Sequence, residues 1–318
     1  KARYQPLELG EADGRLRVFP VGAALPLSTL GASDIVVLGS LPEDLPVVAG
    51  VLSEQFQAPL GHINVLCHSR KTPNMAARGI TTDPRVLSLR DTLVHLIVDG
   101  QSYRIEAASQ AEAEKSWQAK RPQAVVIPVR DDRNVGMPLL TDSLARNTEL
   151  CGAKAAQLAR ITGVLPGDVV PKGFVLPFFA YAGFLAEHGF DKRIRAMLKS
   201  KEFQEDAARR KEILDAMRAD MERAPVSKAL VRSLMNRIAA VMPPGALRFR
   251  SSTNSEDLPG FSGAGLYRSV RVGDPTQEAE VERALKQVWA SVWLFGAHEE
   301  RQFYRLDHTK VGMAVLIQ

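Results

Sequence analysis

The first third of the chain alternates short apolar, β-branched runs with turn formers. RLRVFPV (15–21), DIVVLGS (34–40), LPVVAGV (45–51), HINVLC (62–67), LVHLIVDG (93–100) and SYRIEA (102–107) are separated by Gly, Pro and Asp clusters. Such runs predict strands, with a short helix between Pro73 and Leu89. Residues 108–121 are polar and predict a helix or linker, AVVIPV (124–129) a further strand, and DDRNVGMPLL (131–140) a polar bridge.

From about Asn147 the period lengthens. Residues 152–161 predict a helix, 173–176 a strand and 178–241 mostly helix. KSKEFQEDAARRKEILDAMRADMER (199–223) reads as a solvated, heavily charged helix face. Between 277 and 304, Val281, Leu285, Val288, Val292 and Phe295 recur every three or four residues and mark a buried helix side; Trp289 and Trp293 are assigned to the core. VGMAVLIQ (311–318) predicts a buried strand. Because a domain seldom ends on an unpartnered apolar strand, the expectation is a fragment cut within a larger sheet. The pattern predicts a multidomain α/β (α+β) protein: a strand-rich domain over 1–110, a linker over 111–146 and a second domain over 147–318.

With 318 residues, each of two domains can bury its own core. Apolar residues make up 45% and charged residues 24%, ordinary values for a soluble globular chain. No apolar run nears the roughly 18 residues of a membrane span, so the expectation is a cytoplasmic protein with no membrane partner. The chain opens at Lys1 without a methionine, and the natural N-terminus is expected to lie upstream. Cys67 and Cys151 have no metal-ligand spacing, which predicts a reducing compartment and no structural zinc. A net charge of +5 suits an anionic ligand, but no aromatic-rich basic stripe argues for nucleic acid.

The densest chemistry lies in LRFRSSTNSEDLPGFSGAGLYRS (247–269). A β-prone lead-in through Leu247 and Phe249 delivers Arg250 and the hydroxyls of Ser251 and Ser252. Glu256 and Asp257 follow, then Gly260, Gly263 and Gly265. Closely spaced glycines let backbone N–H groups approach an anion, and a guanidinium offers planar paired donors to phosphate. Together they predict a strand running into a phosphate-covering loop; no G-x-x-x-x-G-K-[ST] loop occurs.

This stretch resembles the ATP-binding domain of the pyruvate phosphate dikinase and phosphoenolpyruvate synthase family, V-R-S-S-A-x-x-E-D-x-P followed by S-F-A-G. Arg250, Ser251, Ser252, Glu256, Asp257, Pro259, Ser262, Ala264 and Gly265 match in order. G-A-K-A-A-Q-L (152–158) is similar to the family's G-G-K-x-x-x-L, which implies that Lys154 contacts ATP phosphates. V-P-K-G-F (170–174), V-W-A-S-V-W (288–293) and M-A-V-L-I-Q (313–318) match further family segments in order and spacing. The resemblance covers about 150–318. It implies the N-terminal half of an ATP-grasp-like domain, with Lys154, Arg250, Ser251, Ser252, Gly260, Gly263 and Gly265 holding ATP. Glu256 and Asp257 would set loop geometry, and Mg2+ would have its ligands beyond Gln318.

In the first domain, A-P-L-G-H-I-N-V-L-C-H-S-R-K-T-P (58–73) places His62 eleven residues ahead of Pro73. This resembles the carrier T-S-H-x-A of the family's mobile phosphohistidine domain, and also L-S-H-V-S-V-R-A-R-N of glucan, water dikinases, which share the domain order. The resemblance implies a swivelling domain whose His62 accepts phosphate from ATP, releases AMP and passes phosphate to a small-molecule or glucan acceptor. A neutral imidazole is nucleophilic near pH 7 without a separate base. Gly61 stands where relatives have Ser or Thr, and Leu294 and Gly296 where they have Asn and Arg. Pyruvate–phosphoenolpyruvate interconversion in a longer chain and a non-catalytic nucleotide-binding relative are the alternatives.

Overall fold

The structure, a computed structural model, describes residues 3–42, 45–120, 124–166, 169–258, 261, 263 and 265–318. The chain divides into two compact units, residues 1–125 with 302–305 and residues 126–301 with 306–318. Both mix helices and strands.

The first unit holds β1 (Tyr4–Glu8), β2 (Gly10–Phe19), β3 (Asp34–Leu38), β4 (Gly50–Ser53), α1 (His62–Arg70), β5 (Asn74–Ala77), α2 (Pro84–Ser88), β6 (Leu93–Val98), β7 (Tyr103–Ala107) and α3 (Gln110–Lys120). The strands form one sheet in the order β1-β5-β4-β3-β2-β6-β7. Neighbours from β2 through β5 are parallel; β1, β6 and β7 join antiparallel. Every residue of β3, β4 and β5 is buried, as parallel strands covered on both faces require. β6 instead buries alternate residues, Val94, Leu96 and Val98, which join Leu16, Ile35, Leu52 and Met75 in one core.

HINVLC is not a strand. It opens α1, the crossover that a parallel β4–β5 pair needs. The alternation of Ile63, Val65 and Cys67 suggested period two, but the buried positions are Ile63, Leu66 and Cys67, a helical face. AVVIPV is not a strand either: Val126 makes an isolated bridge to Leu306, while Val125, Ile127 and Val129 are 56%, 60% and 60% exposed. The short helix expected between Pro73 and Leu89 is α2, which Asp83 caps by accepting from Arg85 N–H; β5 and a short turn precede it in the same segment.

The second unit contains α4 (Thr148–Cys151), α5 (Ala153–Thr162), β8 (Phe174–Leu176), α6 (Phe178–Glu187), α7 (Phe190–Lys199), α8 (Lys201–Glu205), α9 (Ala207–Arg223), α10 (Lys228–Val241), β9 (Leu247–Thr253), β10 (Val270–Val272), α11 (Glu278–Ala290), α12 (Phe295–Phe303) and β11 (Met313–Ile317). Its antiparallel sheet has the order β10-β9-β11-β8. Leu316 and Ala314 of β11 pack with Leu150, Ala155 and Ala159, so α4 and α5 cover one face. α9 buries Leu214, Met217 and Met221; Arg209, Glu212 and Arg223 face solvent, while the Arg210 and Arg218 side chains are largely covered. The periodic stretch 277–304 is broken: α11 ends in a tight turn at Ser291–Trp293, Leu294 is extended, and α12 follows. Trp289 and Trp293 are core residues, the latter donating from Nε1 to Tyr181 Oη at 3.0 Å. Both cysteines are buried, and neither is in a disulfide. Among the described residues no helix is long and apolar enough to cross a membrane.

A buried polar cluster lies at α12. Arg301 is fully buried and donates to Val292 O at 2.8 Å, to Tyr267 Oη at 3.2 Å and to His308 Nδ1 at 3.3 Å. His308 stacks on His298, centroids 4.3 Å apart. His298 also shares a 3.0 Å hydrogen bond with Glu299, itself paired to Arg210 at 2.7 Å. Burial lowers the His298 pKa to about 4 and that of His308 well below its usual value. A histidine held neutral in the fold but protonatable when unfolded supports stability above about pH 6.5; that support fades as pH falls toward the folded value. The expected outcome for His298→Phe is lower stability at pH 7.5 with a shallower decline from pH 6.5 to 4, read by urea unfolding across pH.

Candidate functional site

β9 carries the residues that matter, and its contact with the start of α5 organises them. Ser252 is fully buried; its Oγ donates to Cys151 O at 2.7 Å and accepts from Ala155 N–H at 3.0 Å. That hydroxyl closes the gap between α4 and α5 and satisfies one of the amides a helix leaves open at its N-terminus. Gly152, between the two helices, has φ +77°, and a Cβ there would sit 2.4 Å from Ser252 O. Only glycine tolerates both the dihedral and the approach.

This latch sets Lys154, in the first turn of α5, against β9. Its ammonium donates to Ser251 O at 2.9 Å and Ser251 Oγ at 3.3 Å and pairs with Glu256 Oε1 at 3.2 Å. The lysine side chain is 32% exposed, the glutamate 6%. Burial pushes the Glu256 carboxyl up from its usual range, and the nearby Lys154 charge opposes this. Glu256 also accepts from Thr253 N–H at 3.4 Å. Asp257, at φ +58°, accepts from Gln157 Nε2 on α5. Both carboxylates thus hold the loop to α5 and β9.

Lys154, Ser251 and Ser252 are therefore brought together. Arg250 stands one strand step from Ser252 and donates to Gln318 Oε1 at 2.7 Å. Gly263 lies against Glu256, where a Cβ would meet Cγ at 3.0 Å, and Gly265 has φ +80°. Gly260, with Pro259, Ser262 and Ala264, falls outside the described residues. Sequence reasoning missed the supports beneath the loop. Ser255 Oγ lies 3.1 Å from both Thr253 Oγ1 and Tyr267 Oη, and Arg301 secures Tyr267 from below. Asn254 donates to Val129 O and Lys310 O and accepts from Gly312 N–H. No spacing rule joins residues 254, 267 and 301; their meeting is a tertiary event.

His62, in the first unit, is exposed at the first position of α1, after Gly61. Gly61 has ordinary dihedrals, φ −62° and ψ 145°, and no side chain to cap the helix. A buried amide network anchors this corner. Gln57 and Asn74 exchange side-chain hydrogen bonds at 3.0 and 3.2 Å, and Gln57 donates to Ser53 Oγ at 3.1 Å. Asn64, in the first turn of α1, donates to Pro59 O at 2.8 Å. His68 pairs with Glu8 at 2.7 Å. Among the described residues no three His, Cys, Asp or Glu side chains gather as metal ligands.

Residues 148–318 match the family described as pyruvate phosphate dikinase, AMP/ATP-binding domain. The chain is 30% identical over 178 positions to a phosphoenolpyruvate synthase of Aeropyrum pernix, covering 53% of this chain and 21% of that protein. It is 28% identical over 178 positions to a probable phosphoenolpyruvate synthase of Methanothermobacter thermautotrophicus, covering 53% and 25%. The match thus spans about a quarter or less of the curated relatives' length.

Two outcomes follow from this geometry. Gly152→Ala is expected to lose about 2 kcal/mol or more in chemical denaturation, from left-handed strain and displacement of the β9 backbone. Glu256→Gln separates charge from shape. A carboxyl whose folded pKa is raised supports stability fully below its unfolded pKa and loses that support as pH rises through the folded value. Glutamine stays neutral, so the stability of Glu256→Gln relative to wild type should rise from pH 4 to pH 7.

Proposed function

We propose a function for a chain that belongs to the pyruvate phosphate dikinase, AMP/ATP-binding domain family. Residues 148–318 bind ATP, and the protein is a dikinase-type phosphotransferase that uses His62 as a phosphate carrier. The observation that carries this reading is the ammonium of Lys154 at the start of α5, supported by Ser251 and Glu256 within the family-matched segment. Lys154 and Arg250 would grip the phosphates, and the glycine-bearing loop after β9 would cover them. Ser252 serves by holding α5 in place. Magnesium would neutralise the triphosphate; none of this chain's described side chains is assigned to it.

In the carrier step an imidazole nitrogen of His62 attacks the β-phosphorus. The N–P bond forms, the bond to the α-phosphate oxygen breaks, and AMP leaves. Since one phosphoryl group goes to the acceptor, the terminal one must pass to water or another acceptor. The exposed position of His62 at a helix start supports access, and the amides of that turn favour an added anion. On this reading the first unit is a swivelling phosphohistidine-like domain and the second the leading half of an ATP-grasp-like domain.

Two named relatives are phosphoenolpyruvate synthases, one of them probable, which favours pyruvate as acceptor. A glucan acceptor rests on domain order and the His62 context. Gly61, where the resembled carrier motif has Ser or Thr, and Leu294 and Gly296, where the resembled helix has Asn and Arg, motivate the reading of a non-catalytic nucleotide binder.

The test is ATP labelled at the β-phosphate. Label should enter the protein as an acid-labile phosphoramidate while AMP accumulates, and His62→Ala should abolish both. Tight ATP binding with no AMP and no label on His62 would leave the non-catalytic reading standing. Chasing labelled protein with pyruvate or with glucan then identifies the acceptor.

A further inference from the structure

An open surface pocket of about 460 Å³ on β9 is lined by Arg248, Arg250, Ser269 and Gln318. Along β9, Arg248 and Arg250 alternate with the buried Leu247, Phe249 and Ser251, so both guanidiniums project from one sheet face. Ser252, which latches α5, continues the same row. Gln318 lies opposite Arg248: the Arg248 N–H donates to Gln318 O at 2.7 Å and the Gln318 N–H to Arg248 O at 3.1 Å. The Gln318 side chain accepts from Arg250 and donates to Pro171 O at 3.3 Å, splinting the Arg250 guanidinium in place.

The charge arrangement is one-sided. Among the described residues no acidic side chain lines the pocket. Arg210 has Glu299 and Arg193 has Asp220, but among the described residues neither Arg248 nor Arg250 is in an ion pair. Like charges one strand step apart, roughly 7 Å between Cα atoms, repel each other. An anion between them would relieve that repulsion and satisfy donors built for phosphate oxygens. The Ser269 hydroxyl adds a neutral donor.

We propose that Arg248 is a second phosphate anchor, extending the grip of Arg250 along the phosphate chain of the nucleotide. This rests on the nucleotide-binding reading above. In that arrangement Lys154 and the start of α5 take one end of the chain, Arg250 its middle and Arg248 its far end.

Calorimetric titration of the full chain with ATP, adenosine and inorganic tripolyphosphate tests it, using wild type, Arg248→Gln, Arg248→Lys and Arg250→Gln. Arg248 is exposed, so its variants should keep the wild-type melting temperature. Arg248→Gln should weaken ATP and tripolyphosphate together by about tenfold and leave adenosine unchanged, with Arg248→Lys recovering part of the loss. ATP binding equal in wild type and Arg248→Gln would overturn the anchor and leave the nucleotide reading intact. Tripolyphosphate binding that depends on Arg248, with ATP no tighter than tripolyphosphate, would support the anchor and defeat the nucleotide reading. Wild type binding neither probe would overturn both.

Discussion

The second unit depends on one hydroxyl and one missing Cβ. Ser252 joins the end of α4 to the start of α5, and Gly152 lets β9 approach within the distance that this bridge needs. Either feature alone would be insufficient. A side chain at residue 152 would push β9 away from the helix start, and a residue without a hydroxyl at 252 would leave the Ala155 amide unsatisfied in a buried setting, at a cost of about 1–3 kcal/mol. Every other placement in the site follows from this contact. Lys154 meets Ser251 and Glu256 because α5 begins where it does, and Asp257 reaches Gln157 for the same reason.

Behind the loop, polar groups replace the usual apolar filling. Ser255, Tyr267, Arg301 and His308 form a hydrogen-bonded series through a volume where an unpaired donor would be expensive. Arg301 can remain fully buried because each side of its guanidinium has an acceptor and its face lies over Trp293 and Tyr267. Such a support is stiff, since shifting Tyr267 would break several hydrogen bonds at once. On the proposed reading, a loop that covers phosphates would gain from stiffness at its two ends, Thr253 and Tyr267.

The first unit solves a different problem. Its central strands are parallel and buried on both faces, so their connections must cross the sheet, and α1 is one such crossover. His62 begins that helix. Its exposure follows from being the first helical residue, at a corner pinned from below by Gln57, Asn74 and Asn64.

Much of this was legible in one dimension. Strands β3, β6, β7, β9 and β11, the helices from α5 through α11 and the core roles of Trp289 and Trp293 follow from hydrophobic period, because burial selects residues at the spacing of the element. The chemistry of 250–265 was legible too, since a motif is a run of neighbours. HINVLC and AVVIPV show the limit: six apolar-rich residues fit either period, and only the partners available in space decide between helix, strand and neither. Folding alone also determined that Ser252 is a latch, that Gly263 rests on Glu256 and that Arg301 supports Tyr267 from 34 residues away. These are contacts between segments whose separation along the chain carries no signal, and they exist because two surfaces, each shaped by its own local pattern, close on one another.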